Sequence, residues 1–157
     1  MKPVWLLTVL LALALPCARA SDAGAVLALA EDAGRWISAQ AVDVDGRRTW
    51  PDDALAPDGV SLDLGSGVAG KIVFFVALYH ATGNRAYLDE AIAGGDYLRQ
   101  QLEVPDAFTG ERRASLYTGL SGALIAFRHL AAVDTAEIDE TDLRYLLSRA
   151  QSLGAIE

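Results

Sequence analysis

The chain has 157 residues, of which 52% are hydrophobic and 22% charged, with one Cys, one Met and five Pro. This composition excludes a disordered tail, which combines low hydrophobicity with high charge, and a disulfide-stapled miniprotein, which needs many cysteines. Thirteen basic residues against 21 acidic ones give a formal net charge of −8. The length fits a single folded domain. Because binding to phosphate backbones needs a basic surface, we expect no nucleic acid partner.

The first twenty residues have the features of a secretory signal peptide. Lys2 supplies a positive charge, an apolar run covers residues 4–16, and Ala18-Arg19-Ala20 is a small-x-small cleavage site. The run is shorter than the roughly 20 apolar residues that cross a membrane. We therefore predict an exported protein, periplasmic or extracellular, with no membrane segment after cleavage. A retained signal anchor and lipidation of Cys17 are the alternatives.

The predicted mature domain, residues 21–157, is more acidic than the whole chain. Loss of Lys2 and Arg19 leaves 11 of the 13 basic residues against 21 acidic ones, a net charge of −10. Cys17 is lost with the leader, so the mature part has no cysteine. We therefore expect no disulfide, no thiolate metal site and no cysteine nucleophile in it.

Apolar residues recur every three or four positions between residues 21 and 42, and this spacing predicts one amphipathic helix. Its predicted buried stripe consists of Val26, Leu29, Ala30, Ala33, Trp36, Ile37 and Ala41. From residue 43 to residue 63 the periodicity ends and Gly, Pro and Asp are frequent, which predicts a long loop. Within this loop, we expect Trp50 and Leu55 to pack back on the helices.

Residues 71–81 (KIVFFVALYHA) are apolar on almost every side, which is typical of a helix covered on two sides by other elements. A buried strand is the alternative, since residues 72–76 favour β structure. The run exceeds the usual strand length, however, and Gly83 follows where a helix C-cap is expected. Asn84 is the predicted N-cap of a second helix. Its apolar stripe is Tyr87, Leu88, Ala91, Ile92, Gly95, Leu98 and Leu102.

The same order of elements returns 52 residues later. Aligning residues 64–78 with residues 116–130 gives identities at Leu64/Leu116, Gly67/Gly119, Gly70/Gly122, Phe75/Phe127 and Leu78/Leu130. Residues 105–113 form a polar connection, and a second outer helix is predicted at about residues 141–153. A fixed period near fifty is typical of an array of helical hairpins.

Each predicted buried helix opens with Gly-x-x-Gly, at Gly67 and Gly70 and again at Gly119 and Gly122. Glycine costs roughly 1 kcal/mol of helix propensity, so two glycines on one side of the first turn indicate the close approach of another backbone. Two interpretations stay open. The glycines serve packing alone, or the crowded helix N-termini line a pocket for an anion or polar ligand.

One polar residue near these helices is a candidate for function, and two histidines are not. Asp63, four residues before Gly67, is a candidate pocket residue, and a local cap is the alternative. The only histidines, His80 and His129, are not equivalent in the repeat. Two histidines without a third ligand do not predict a metal site.

Two acid pairs, Asp52-Asp53 and Asp89-Glu90, are expected on solvated surfaces. Whether either forms a glycosidase pair depends on a carboxylate separation that sequence does not give.

Taken together, residues 61–102, residues 115–127 (SLYTGLSGALIAF) and, more loosely, the first helix and the loop ending Thr49-Trp50-Pro51 resemble the lanthionine synthetase C-like family. The resemblance covers nearly all of the mature part. It implies an all-α fold of helical hairpin repeats, an α/α toroid of the six-hairpin type with inner helices that begin with Gly-x-x-Gly.

The resemblance also implies a chemistry. Cyclases of this family join a cysteine thiol to a dehydrated serine or threonine, using a zinc held by two cysteines and a histidine in later hairpins. This chain departs from that pattern, because it supplies about two and a half hairpins, an incomplete ring, and its mature part has no cysteine. No catalytic, cofactor or zinc-binding residue can therefore be assigned here, and zinc is expected only if later hairpins carry Cys, Cys and His.

The leading expectation is thus an exported lanthionine synthetase C-like protein of peptide modification, a truncated fragment that is not active alone. The alternatives are part of an exported six-hairpin carbohydrate-active enzyme, a glycoside hydrolase or epimerase with Trp50 stacked on sugar, and a non-catalytic helical-repeat binding module. A peptide or small polar ligand is the expected partner. Self-association is also expected if an incomplete ring exposes Phe74, Phe75 and Leu124.

Overall fold

The computed structural model describes residues 5–104, 115–133, 144–145 and 147–148, with side chains from residue 22 onward. This part of the chain contains four helices and one small antiparallel β-hairpin, so the fold is mostly helical, as predicted, but not all-α. The elements are α1 Trp5–Ala39, β1 Val42–Val44, β2 Arg47–Thr49, α2 Val68–Thr82, α3 Arg85–Glu103 and α4 Leu120–Ala131.

The central helical hairpin, α2 and α3, follows the prediction closely. The apolar run forms α2 and not a strand. Gly83 ends α2 in the left-handed conformation, with φ of 69°, and donates its N–H to the Tyr79 carbonyl at 2.8 Å. The Asn84 side chain then accepts the Ala86 N–H at 3.1 Å and starts α3. Both caps predicted from sequence are therefore confirmed, because each residue type satisfies the backbone groups that a helix end leaves unpaired.

The first helix is longer than predicted and buries a different stripe. α1 runs through the predicted cleavage site after Ala20, and this helical continuity does not test the cleavage. Val26, Leu29 and Trp36, predicted to be buried, are 68%, 70% and 58% exposed. The side of α1 that packs on the core carries Leu27, Ala30, Gly34 and Ile37, and Ala41, just beyond the helix, continues it. The predicted stripe was thus partly wrong, since it mixed two neighbouring apolar stripes of one helix.

The segment predicted as a loop begins with a β-hairpin. β1 and β2 pair antiparallel, with Val42 opposite Thr49 and Val44 opposite Arg47. Asp45 and Gly46 connect them, both at positive φ, 53° and 76°. An Asp-Gly pair at these angles is the usual two-residue hairpin turn, because the Gly tolerates the left-handed backbone. The rest of the segment, residues 50–63, is irregular, and its one β-type pairing is an isolated bridge between Asp53 and Ala56.

One hydrophobic core joins these elements. α2 packs mainly on α3, and α4 packs on both of them, while β2 lies against α3. Trp50 lies at the centre, with its ring centroid 5.2 Å from that of Phe75 and its six-membered ring against Gly94. The largest side chains with almost no solvent exposure are Trp50, Ile72, Phe75, Leu88, Leu98, Leu120, Phe127 and Leu130.

Four apolar side chains differ from their expected exposure. Phe75, expected on an open surface, is fully buried, because Trp50 and Tyr87 cover its ring. Phe74 and Leu124 are partly buried. Leu55, expected to pack back on the helices, is 92% exposed.

Some predicted elements lie outside the described residues. They are the connection at residues 105–113 and most of the second outer helix at residues 141–153, of which the four described residues are helical. Within the described part of the chain, none of the helices has the length and apolar character needed to cross a membrane.

Candidate functional site

The two Gly-x-x-Gly pairs lie where α2 and α4 begin. Gly67 and Gly119 are the N-caps of the two helices, and Gly70 and Gly122 lie in the first turns. A methyl group at Gly67 would lie 2.5 Å from the Ser61 carbonyl oxygen, and one at Gly70 would overlap the Leu64 carbonyl. Another backbone therefore approaches closely, as expected. It belongs to the loop that precedes the helix.

The second hairpin repeats this contact and adds one between the hairpins. A methyl group at Gly122 would lie 2.5 Å from the Leu116 carbonyl oxygen, in register with Gly70 and Leu64, and 2.8 Å from Leu64 Cβ. The N–H groups of Leu64 and Gly65 both donate to the Tyr117 carbonyl, at 3.0 and 3.2 Å. The loops before α2 and α4 are thus interlocked, and both helices begin at the same end of the molecule.

Most backbone N–H groups at the N-terminal turn of α2 donate hydrogen bonds to acceptors of the preceding loop. The Val68 N–H donates to the Ser61 carbonyl at 2.9 Å and the Gly70 N–H to the Asp63 carbonyl at 3.3 Å. The Asp63 carboxylate accepts the N–H groups of Ser66 and Gly67, at 2.8 and 3.1 Å. A ligand at this helix end would compete with these bonds, so the local geometry favours packing and capping as the role of the first glycine pair.

Asp63 is the polar centre of this region. Its other carboxylate oxygen lies 3.0 Å from the Ser61 hydroxyl, which also lies 3.0 Å from Asp52. Partial burial alone would raise the pKa of Asp63, but the hydrogen bonds from Ser66, Gly67 and Ser61 outweigh it and lower the pKa. Asp63 therefore caps the loop, the alternative given above, and a role towards a ligand stays a prediction.

Lys71 lies within electrostatic reach of this carboxylate group. It lies one turn into α2, half-buried, and its ammonium donates to the Ser66 carbonyl at 2.5 Å. Burial lowers the pKa of Lys71, while the charges of Asp52 and Asp63 oppose that effect. The N-terminal end of α2 thus combines two carboxylates with one amine and the Ser61 hydroxyl, a set of groups that can bind a polar ligand.

The residues present do not fit the zinc site that the resemblance implies. His80 and His129 are exposed, on different helices. Among the described residues, no group of three or more His, Cys, Asp or Glu is placed to hold a metal. The only cysteine is Cys17, so this sequence alone cannot supply two thiolates and an imidazole.

The residues weighed for carbohydrate chemistry have structural contacts instead. Trp50 is fully buried and cannot stack on a sugar, which agrees with its expected packing on the helices. Glu90, expected on a solvated face, is largely buried and receives two hydrogen bonds from Arg48, at 2.8 and 2.9 Å, that tie β2 to α3. Neighbouring Asp89 pairs with Arg85 on the surface at 3.1 Å. Sequence reasoning missed the Arg48–Glu90 pair because its partners are 42 residues apart.

These features define a mostly helical protein in which two neighbouring helices, α2 and α4, start at interlocked Gly-x-x-Gly turns. A family model of lanthionine synthetase C-like proteins matches residues 58–151, more than half of the chain. The chain therefore belongs to the lanthionine synthetase C-like family. No curated protein and no solved structure matches it.

Proposed function

We propose that this chain forms the first hairpins of an exported protein of peptide modification, an α/α toroid of the lanthionine synthetase C-like family. The observation that supports it best is the interlocked pair of inner helices. The Leu64 and Gly65 N–H groups bind the Tyr117 carbonyl, and Gly122 receives Leu64. The family match covers both helices. Each helix makes the same contact with its own preceding loop, and the two loops bind each other, as neighbouring units of an array of hairpins would.

We propose that this part forms the end of the toroid at which the inner helices begin, called the rim here, and that it contributes polar groups to it. Asp52, Asp63 and Lys71 gather at that rim, and the mature part carries a net charge of −10. These groups suit a peptide or small polar ligand, with Asp63 as the candidate pocket residue. The thiol-addition chemistry needs zinc ligands that this sequence lacks, so we place the reacting centre in hairpins beyond residue 157.

The test determines whether the reading frame continues beyond residue 157 and compares the 157-residue chain with any longer protein that it encodes. Each is given a peptide with one dehydrated serine and one cysteine, and the remaining free thiol is alkylated and counted by mass spectrometry. Zinc is measured on the same samples. We expect one zinc per molecule and loss of the thiol with the longer protein only. Cyclisation or stoichiometric zinc with the 157-residue chain would contradict the proposal, as would a downstream sequence with paired carboxylates and no cysteine.

Export has its own test. The chain expressed with its leader in a bacterial host is expected in the periplasm or medium, with a mass that corresponds to a first residue of Ser21. A cytoplasmic product that retains residues 1–20 would contradict the proposed export and leave the family assignment unchanged.

A further inference from the structure

The loops before α2 and α4 have the same backbone arrangement, 52 residues apart in the chain. In each loop a side chain caps the turn. The Asp63 carboxylate accepts the Ser66 N–H at 2.8 Å, and the Ser115 hydroxyl accepts the Thr118 N–H at 3.4 Å. Each loop also approaches the first turn of its own helix in the same register. The two loops can therefore be compared position by position.

This comparison shows which side chain of the second loop is placed to pack on a following hairpin. Leu64 of the first loop is partly buried, and a Cβ built at Gly122 of the neighbouring hairpin would lie 2.8 Å from Leu64 Cβ. Leu116, the counterpart of Leu64, is 42% exposed. Leu116 thus has the position of a residue that the next hairpin covers.

Tyr117 differs from Leu116, because its counterpart stays exposed where two hairpins meet. That counterpart is Gly65, which is exposed although the second hairpin binds its loop. Within 4 Å, a Cβ built at Gly65 would meet only Asp63 Oδ1, at 3.5 Å, and the Tyr117 carbonyl oxygen, at 3.8 Å, both ordinary contact distances. We therefore expect the Tyr117 side chain, 65% exposed, to stay accessible when a further hairpin packs on the second one.

The fold does not require an aromatic ring at this position, since the first loop has a glycine there. The Tyr117 backbone is nevertheless held in place, because its carbonyl accepts the N–H groups of Leu64 and Gly65 at 3.0 and 3.2 Å. A side chain on a fixed backbone loses less conformational entropy when it binds a ligand. Tyr117 is thus an exposed ring on a preorganised loop, next to the loop that carries Asp63.

The charges near Tyr117 favour a cationic ligand. Residues 61–66 and 115–118 contain one acidic side chain and no basic one. Lys71 lies within electrostatic reach of both Asp52 and Asp63, which leaves one negative charge in excess. The predicted mature part as a whole has a net charge of −10. The face of an aromatic ring attracts ammonium and guanidinium groups, so the ring and the carboxylates favour the same kind of ligand.

We propose that Tyr117 is a specificity-determining residue of the rim, whose ring binds a lysine or arginine side chain of the peptide ligand. This inference rests on the proposed function and adds the kind of side chain that the rim recognises.

The test is an NMR titration of the purified chain with selectively ¹³C-labelled tyrosine, in which the Tyr117 signals are those absent from Tyr117→Phe. The probe is a capped peptide of glycine and serine with three lysines. The same peptide with Nε-acetyl-lysine, or with glutamate, is the comparison. We expect the Tyr117 ring signals to shift and saturate with the lysine peptide, and the dissociation constant to be about threefold or more higher for the acetyl-lysine peptide and the glutamate peptide.

Three variants identify the site, with circular dichroism to confirm that each is folded. Tyr117→Ser should weaken binding of the lysine peptide about threefold or more, whereas Tyr117→Phe keeps the ring face and should bind within about twofold of the parent chain. Tyr145→Ser is the matched control, because Tyr145 is another exposed tyrosine and lies outside both loops. It should bind like the parent chain.

Tyr117 signals that do not move, equal binding of the lysine and acetyl-lysine peptides, or binding unaffected by Tyr117→Ser would each overturn the inference. The result is separable from the test of the proposed function. Cyclisation by a longer protein without any effect of lysine at Tyr117 would overturn this inference alone. Binding of lysine at Tyr117 without cyclisation by that protein would support the binding site and contradict the role in peptide modification.

Discussion

Replacing Gly122 by alanine tests the interlocked helix ends most directly. In an open helix the change would stabilise the fold by up to about 1 kcal/mol through helix propensity. Here the new Cβ would lie 2.5 Å from the Leu116 carbonyl oxygen and 2.8 Å from Leu64 Cβ. Ordinary van der Waals contact is about 3.5 Å or more, so the loop before α2 or the loop before α4 has to move by up to about 1 Å.

The expected magnitude follows from these contacts. Overpacking of this kind costs about 1–3 kcal/mol. A shifted loop also weakens the hydrogen bonds from Leu64 and Gly65 to the Tyr117 carbonyl, each contributing about 1 kcal/mol. After the gain in helix propensity is subtracted, Gly122→Ala should lower the free energy of unfolding by about 2 kcal/mol, which moves the urea midpoint by about 1 M.

The assay is urea unfolding followed by circular dichroism and by tryptophan fluorescence. Gly24→Ala is the matched control, because Gly24 is a glycine of α1 with nothing within 4 Å of its built Cβ, and its replacement should leave stability unchanged or raise it. If Gly122→Ala were as stable as the parent chain or behaved like Gly24→Ala, the close approach of the two hairpins would be refuted.

Three further changes test other parts of the structure. Trp50→Ala should cost about 3–5 kcal/mol of unfolding free energy, whereas Trp36→Ala, at an exposed position, should change it by less than about 0.5 kcal/mol; equal effects in urea unfolding would contradict the core described here. Asp63→Asn should cost about 1 kcal/mol at pH 7. Because the folded-state pKa of Asp63 is lowered, its stabilisation is present above the unfolded value of about 3.9 and is lost as the pH falls through the folded value. The difference between Asp63→Asn and the parent chain should therefore shrink in acid, and a constant difference would refute the capping role. Glu90→Gln should cost about 1 kcal/mol at low salt and less at 1 M NaCl, since Arg48 is partly exposed; salt-independent loss would contradict an ionic contribution.

Sequence was sufficient for the α2–α3 hairpin because its signals are local. The left-handed Gly83, the Asn84 cap and the stripe of α3 each depend on residues within about one helical turn. The glycine pairs could be predicted to mark a close approach, since glycine costs helix propensity at both positions. Sequence did not show that the approaching backbone is the chain's own preceding loop, which depends on how residues 61–65 turn back over α2.

The β-hairpin was missed although its signal was present. In Val42-Asp43-Val44-Asp45-Gly46, apolar and polar residues alternate up to an Asp-Gly pair, the strongest short-range hairpin signal. The Pro and Asp residues of residues 51–58 favour a loop, and over the whole segment they outweigh this short signal. The Arg48–Glu90 pair depends on this hairpin, because β2 places Arg48 against α3. Without the hairpin, neither the pairing of Arg48 with Glu90 nor the burial of Glu90 could be predicted.

The misplaced stripe of α1 has a different cause. Apolar spacing predicts that a helix has apolar sides, but it does not predict which side packs against which neighbouring element. α1 carries two apolar stripes, one with Leu27 and Ile37 that packs on the core and one with Val26 and Trp36 that is exposed. On α3, the equivalents of Val26 and Trp36, 61 residues later, are Tyr87 and Tyr97, both buried. A helix with two apolar stripes is suited to two neighbouring helices, and the described part of the chain gives α3 both neighbours but α1 only one. Spacing alone therefore cannot distinguish the stripe of α1 that packs on the core from the one with Val26 and Trp36, which is exposed.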